Sequence, residues 1–158
     1  MGATPTCRCG RPGEYADCCQ VFHEGKAEPA NAETLMRARF SAFVLKKPTY
    51  LWHTLHKDHD ERQRAPNEFL AAMKEGLRGL VYRSLDVLDT RAPDHEGVAR
   101  VLFYASVFHR GDDLSFVEIS SFANDGTGWR YLFGQPKAKN EIAGDPRRLR
   151  IQENNVPG

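Results

Sequence analysis

The sequence predicts an α+β fold in which helices come first and an antiparallel sheet follows. Apolar residues recur every three or four positions over residues 31–76, which is typical of helices. Over residues 81–133 they alternate or run continuously in β-forming segments. Short turns join these segments, which favours an antiparallel meander with the helices packed on one of its faces. A chain of 158 residues is long enough to bury one hydrophobic core.

Three helices are predicted in the first half of the chain. Asn31 is a suitable N-cap for the first helix, and Pro48 is expected to end it. The core-facing residues of this helix are Ala32, Leu35, Met36, Phe40 and Phe43. A second, shorter helix is expected over residues 50–56. A third is expected to begin after an Asn67 cap and to end at Gly76.

Four strands are predicted in the second half, over residues 81–90, 98–108, 114–122 and 129–133. Because side chains alternate along a strand, the first strand should place Val81, Leu85 and Val87 on one face. One face of the third strand mixes apolar and polar side chains, namely Phe116, Glu118, Ser120 and Phe122. A half-buried carboxylate needs a partner, so Glu118 is the most informative acidic residue of the sheet.

The two ends of the chain differ from this central region. Residues 1–24 contain the cysteines and are followed by a polar connector, so we expect them to form a separate small unit. The α+β domain is expected over residues 25–135. Residues 136–158 are polar and aperiodic, which predicts a mobile tail.

All four cysteines lie in the segment CRCGRPGEYADCC, at Cys7, Cys9, Cys18 and Cys19. Disulfides fit this pattern poorly, because adjacent cysteines bridge only with strain. Two redox pairs are an alternative, but the usual C-x-x-C spacing is absent. A zinc ion fits better, because a short turn carrying one pair and a second pair nearby can surround one ion. Four thiolates leave no open coordination position, so we expect one structural zinc ion rather than a catalytic one.

Charge and hydropathy argue against several classes of protein. The 22 basic residues are balanced by 21 acidic ones, so binding to nucleic acid is not expected. No apolar run has the length of a membrane span, and the N-terminus lacks the layout of a secretory signal. We therefore expect a cytoplasmic protein whose thiols stay reduced.

The spacing C-x-C-x8-C-C, with a glycine after the second cysteine, resembles the SEC-C motif. This motif is named for the C-terminal tail of the translocation ATPase SecA, where it binds zinc. The resemblance implies the same metal site here. The basic linker with which SecA contacts the chaperone SecB is replaced by GRPGEYAD, so contact with SecB is not implied.

The remainder of the chain resembles the YchJ-type family of bacterial proteins. The resemblance covers residues 5–135 and rests on LMRARFSAF at 35–43, Thr54-x-His56, and Glu118-x-Ser120-x-Phe122. It implies a zinc knuckle followed by a domain of the nuclear transport factor two-like (NTF2-like) superfamily. In that cystatin-like fold, about three helices pack on a curved antiparallel sheet of about four strands and form a cone. Two arginines and an aspartate of the family pattern are replaced here by Ile119, Ser121 and Phe133, which weakens a catalytic interpretation.

Five polar side chains are candidates for a pocket in the cone: Arg39, His56, Tyr104, Glu118 and Ser120. Glu118 beside His56 could act as a general acid or base, and these two are the only catalytic candidates. The alternative is that Glu118 forms a structural ion pair with Arg37 or Arg39. We favour this alternative and therefore lean against an enzyme.

The sequence as a whole predicts a zinc-binding protein whose knuckle stabilises the domain or binds a partner protein. A small-molecule carrier or enzyme that uses the cone pocket is the second hypothesis. Association with nucleic acid or the ribosome through the knuckle is a third, which the balanced charge disfavours.

Overall fold

A computed structural model describes residues 6–152 of the chain. The helices are α1 (Cys19–His23), α2 (Ala32–Val44), α3 (Pro48–His53) and α4 (Pro66–Gly76). Short 3-10 turns occur at Tyr15–Asp17, Asp60–Gln63, Lys139–Glu141 and Pro146–Arg148. No helix within the described residues is long and apolar enough to cross a membrane.

The strands are β1 (Leu80–Arg91), β2 (Val98–His109), β3 (Asp112–Asp113), β4 (Phe116–Asn124) and β5 (Trp129–Ala138). They form one antiparallel sheet in the order β1-β2-β4-β5, and the short β3 pairs with β2. Helix α2 packs on one face of this sheet, which we call the helical face, and the opposite face is the outer face. The predicted α+β fold is confirmed.

Two helix starts differ from their predicted positions. The Asn31 side chain accepts a hydrogen bond from the Thr34 amide at 2.9 Å, as expected of an N-cap. Pro48, however, is the first residue of α3, where a proline costs no hydrogen bond because the first helical amide has no partner. Pro66 opens α4 in the same way, so the prediction of Asn67 as its cap is wrong.

Strand β1 carries a register shift that the alternation pattern does not reveal. The shift lies between Tyr82 and Ser84, where one extra residue is inserted against β2. Before it Tyr82 packs on the core, and after it Leu85 and Val87 do. Val81 is consequently 52% exposed, and the prediction that it shares a face with Leu85 is wrong.

The predicted tail is incorporated into the fold as far as residue 152. Strand β5 continues to Ala138, and Ile151 is only 5% exposed on the outer face, where it packs with Leu102 and Val117. The backbone of Ile151 accepts a hydrogen bond from Arg91 at 2.6 Å. The polar composition of the segment does not reveal this packing, because only a few apolar residues, among them Ile142, Leu149 and Ile151, hold it on the sheet. Residues 153–158 of the predicted tail lie outside the described residues.

Candidate functional site

The first cysteine pair lies in a tight hairpin. The amide of Cys7 donates to the carbonyl of Gly13 at 2.9 Å, which closes the loop that carries Cys9. Gly10 and Gly13 have φ values of +92° and +122°, in the region that favours glycine. The hairpin therefore turns back sharply enough to bring both thiols to one side.

The second pair lies where a 3-10 turn passes into α1, and it meets the first pair. The four sulfur atoms of Cys7, Cys9, Cys18 and Cys19 all lie within 4.8 Å of one another. Zinc–sulfur bonds of ~2.3 Å in a tetrahedron place the sulfurs roughly 3.8 Å apart. The Cys9 and Cys18 sulfurs are separated by 3.6 Å, and all four thiols are free of disulfides. The donor set and its spacing fit a tetrahedral metal ion.

Burial and mutual contact make these thiols unequal as acids. A hydrogen bond from the Cys19 thiol lowers the pKa of Cys9 to about 5. The same contact raises the pKa of Cys19, and burial raises the pKa of Cys18 to about 12. Neighbouring thiolates repel one another, so the cluster cannot ionise fully without a cation to offset the charge.

The cysteine hairpin packs directly against α2. A β-carbon at Gly10 would lie 2.9 Å from Arg37 Nη1 and 3.1 Å from the Leu85 carbonyl oxygen, so only glycine permits this approach. Arg37 Nη1 donates to the Cys9 carbonyl at 2.9 Å. Arg37 Nε also forms an ion pair with Glu33 at 2.9 Å, which holds the guanidinium in place.

His23 forms a second link between the cysteine segment and α2. Its Nε2 donates to the Ala38 carbonyl at 2.8 Å, and its Nδ1 accepts from the Tyr15 hydroxyl at 2.6 Å. This arrangement requires a neutral imidazole, and burial lowers the pKa of His23 accordingly. The ring also packs edge-on against Tyr50 at 4.7 Å between centroids.

A cavity of about 110 Å³ lies between α2 and the helical face of the sheet, and we call it the inner cavity. Its walls are largely aromatic: Phe40, Phe43, Tyr82, Phe103, Phe116, Phe122 and Tyr131. Of the five predicted pocket residues, Arg39, Glu118 and Ser120 line it. The predicted face of the third strand is also observed, since all four of its named residues line this cavity.

Glu118 is held at the wall of the inner cavity by two hydroxyl donors. The Ser120 hydroxyl donates to Oε2 of Glu118, and the Tyr131 hydroxyl donates to the same oxygen at 3.0 Å. Burial raises the pKa of Glu118 despite these bonds. Gly134 leaves room for the carboxylate, because a β-carbon at that position would collide with it.

Arg39 is a buried cation on the opposite wall. Arg39 is only 6% exposed, and this burial lowers the pKa of its guanidinium group. Nη1 donates to the Leu51 carbonyl at 3.0 Å and to the Thr54 hydroxyl at 2.6 Å. The guanidinium carbon lies 4.6 Å from the centre of the Tyr131 ring, which supports the charge by a cation–π contact.

The structure places two predicted pocket residues elsewhere. Tyr104 points to the outer face, opposite to Phe103 and Ala105, and packs under the Arg147 guanidinium at 4.7 Å. Its position follows from the alternation of β2, which the continuous apolar run concealed. His56 is buried but does not line the cavity, and its Nδ1 accepts from the Asp58 amide at 3.1 Å.

The predicted ion pairs of Glu118 are also absent from the described residues. Arg37 pairs with Glu33, and Arg39 is bonded to uncharged oxygens. The partner of Glu118 is instead Tyr131, which the sequence pattern does not predict. A register shift between Ser121 and Phe122 turns Tyr131 and Gly134 to the helical face, and no alternation pattern signals such a shift.

Comparisons with known proteins agree with this architecture. Residues 31–134 match the family described as YchJ, middle NTF2-like domain. A UPF0225 protein of Xanthomonas oryzae is 38% identical over 127 residues, which cover 80% of this chain and 91% of the relative. A UPF0225 protein of Bordetella pertussis is 35% identical over 130 residues, which cover 81% and 90% of the two chains.

Two solved structures share the fold. The solution structure of a SEC-C motif containing protein from Rhodopseudomonas palustris has a TM-score of 0.69 at 26% identity, covering 83% of this chain and 98% of that one. The crystal structure of a SEC-C motif containing protein from Psychrobacter arcticus has a TM-score of 0.68 at 26% identity, covering 81% and 80%. The chain therefore belongs to the YchJ-type (UPF0225) family and combines a SEC-C cysteine motif with an NTF2-like domain.

Proposed function

We propose that this protein binds one zinc ion through Cys7, Cys9, Cys18 and Cys19, and that the ion has a structural role. The observation that carries the proposal is the convergence of the four sulfurs within 4.8 Å. Thiolate ligands in a tetrahedral set favour zinc over magnesium or calcium, which prefer oxygen ligands. The likeness to two SEC-C motif proteins supports the same choice of metal.

The surroundings of the cluster support a structural role rather than catalysis. Cys7, Cys9 and Cys19 are at most 4% exposed, and four protein ligands leave no position for a substrate. The ion would fix the hairpin and α1 in the one arrangement that fits α2. We therefore assign the ion the role of holding the knuckle, residues 6–24, on the NTF2-like domain.

The first test is the metal content of protein purified under reducing conditions without chelator. We expect inductively coupled plasma mass spectrometry to find one zinc ion per chain. Bound thiolates should not react with a thiol reagent until the protein is denatured or the metal is removed. Cys18→Ser should lose most of the zinc, because one ligand of the tetrahedron is missing.

Arg8→Ser is a matched control, because Arg8 is an exposed residue of the same hairpin. It should retain one zinc per chain. Four reactive thiols and no metal in the wild-type protein would contradict the proposal and make the cysteines a redox element. A protein partner bound through the knuckle stays a prediction, and RNA bound there stays the disfavoured alternative; co-purification with wild type and Cys18→Ser would test both.

A further inference from the structure

The inner cavity contains a buried positive charge with no carboxylate in direct contact. Among residues 6–152, no acidic side chain forms an ion pair with Arg39, and the charge of Glu118 acts on it only from a greater distance. Its hydrogen bonds there use Nη1 alone, so Nε and Nη2 have no acceptor. A buried charge is costly unless it is paired, and the bidentate edge of a guanidinium matches a carboxylate. The wall of the cavity therefore offers an unfilled anion site.

Glu118 supplies the complementary group. Both hydrogen bonds that it receives end on Oε2, so within the described residues Oε1 has no donor. Glu118 and Arg39 line the same cavity without contacting one another. A molecule that carries an anion at one point and a hydrogen-bond donor at another would satisfy both groups at once.

The space between them is limited to a single small ring. The inner cavity has about 110 Å³ and is smaller than the ~150 Å³ cavity that binds benzene in another protein, so it has room for no more than one ring. Its walls are phenylalanine and tyrosine rings, which favour stacking with a flat partner. Arg39, Phe43, Tyr82 and Tyr131 also line a wider groove of about 400 Å³ beside α4, so ring substituents have room on that side.

We propose that the inner cavity binds a small aromatic carboxylate that carries a hydroxyl group. Its carboxylate accepts hydrogen bonds from Nε and Nη2 of Arg39, its ring lies among Phe40, Phe103 and Phe122, and its hydroxyl donates to Glu118. This binding function is independent of the metal, and it involves no covalent step.

Calorimetric titration of the full-length protein with benzoate, the three hydroxybenzoates, benzamide and benzylamine tests the proposal. We expect at least one hydroxybenzoate to bind more tightly than benzoate. Benzamide should bind about tenfold more weakly than benzoate or worse, because it lacks the charge that pairs with Arg39. Benzylamine should not bind. Equal affinity for benzamide and benzoate, or no binding by any carboxylate, would overturn the proposal.

Variants locate the binding in the cavity. Arg39→Met should lose the preference for carboxylates, but it also removes bonds to Leu51 and Thr54 and can unfold the protein.

Ala105→Val removes no hydrogen bond of Arg39. Ala105 lines the cavity, so the larger valine side chain fills part of the space in which the ligand would lie. It should weaken hydroxybenzoate binding by tenfold or more. Ala123→Val, on β4 outside the cavity, is the matched control and should bind as the wild type does. Unchanged binding by Ala105→Val would place the ligand elsewhere and overturn the proposal.

Discussion

At the scale of single residues, the informative feature is how an acidic side chain is accommodated among aromatic rings. Glu118 keeps its place because Ser120 and Tyr131 donate to it and because Gly134 presents no side chain. These bonds favour the ionised form, whereas burial opposes it, and the pKa of Glu118 is raised overall. The carboxyl group therefore affects folding stability in a pH-dependent way.

We predict that Glu118 makes the protein less stable as the pH rises above the ordinary carboxyl value of 4.5. In the window between that value and the raised pKa of the folded state, the folded protein holds a proton that the unfolded chain has released. The folded state thus binds more protons, and the free energy of unfolding falls with rising pH. Urea unfolding across this window should show a fall in the wild type that Glu118→Gln lacks.

The control for this prediction is Glu68→Gln, which alters an exposed carboxylate of α4. Its unfolding free energy should follow that of the wild type across the same pH range. If Glu118→Gln and wild type follow the same curve, the proton is not held by Glu118.

At the scale of secondary-structure elements, the last described segment is an integral part of the sheet. Ile151 donates its amide to Asp89 at 2.9 Å and accepts from Arg91, and both residues belong to β1. Arg147 forms an ion pair with Asp86 at 3.0 Å on the same strand. The segment thereby covers apolar residues of the outer face that the strands alone would expose.

Ile151→Ala is accordingly predicted to destabilise the protein by about 2 kcal/mol or more, as expected for truncation of a buried isoleucine. Chemical denaturation measures the loss. Leu114→Ala is the matched control, because Leu114 is 51% exposed and its truncation should cost less than about 0.5 kcal/mol. Equal effects of the two substitutions would mean that the segment does not stay bound in solution.

The sequence was a good guide to elements with strong local signals and a poor guide to register. The Asn31 cap, the three helices of the domain and the pocket face of β4 follow from local pattern. The register shift in β1 and the one beside Tyr131 depend on how the strands pair, and a single sequence carries no information about that pairing.

The clustering of four cysteines was predictable because their spacing alone limits where the thiols can lie. The packing of that cluster against α2 was not predictable, because it depends on contacts that Gly10, Arg37 and His23 make together.

At the scale of the whole molecule, the contact between the cysteine cluster and α2 determines whether the knuckle and the domain are independent units. Helix α2 faces the knuckle with Arg37 and Ala38 and faces the inner cavity with Arg39 and Phe40. Ala38 is fully buried and packs with the cysteine side chains. The sequence predicts that residues 1–24 form a separate small unit. The shared helix instead predicts that loss of the knuckle's structure weakens the domain.

We predict that removing the metal leaves the domain folded but less stable by about 2–4 kcal/mol. The hydrogen bonds that His23, Arg11 and the Cys9 carbonyl form with α2 are lost together with the apolar contact at Ala38, while the core on the helical face of the sheet persists. Thermal unfolding followed by circular dichroism should show a lower midpoint for chelator-treated wild type, and added zinc should restore the original midpoint.

Cys18→Ser should have the low midpoint and should not respond to zinc, because a ligand that binds only the folded state stabilises only protein that can bind it. Arg8→Ser should respond as the wild type does. A midpoint of the sheet's unfolding that is the same with and without zinc would show that α2 does not transmit the state of the knuckle, and the two parts would then be independent units joined by residues 25–30.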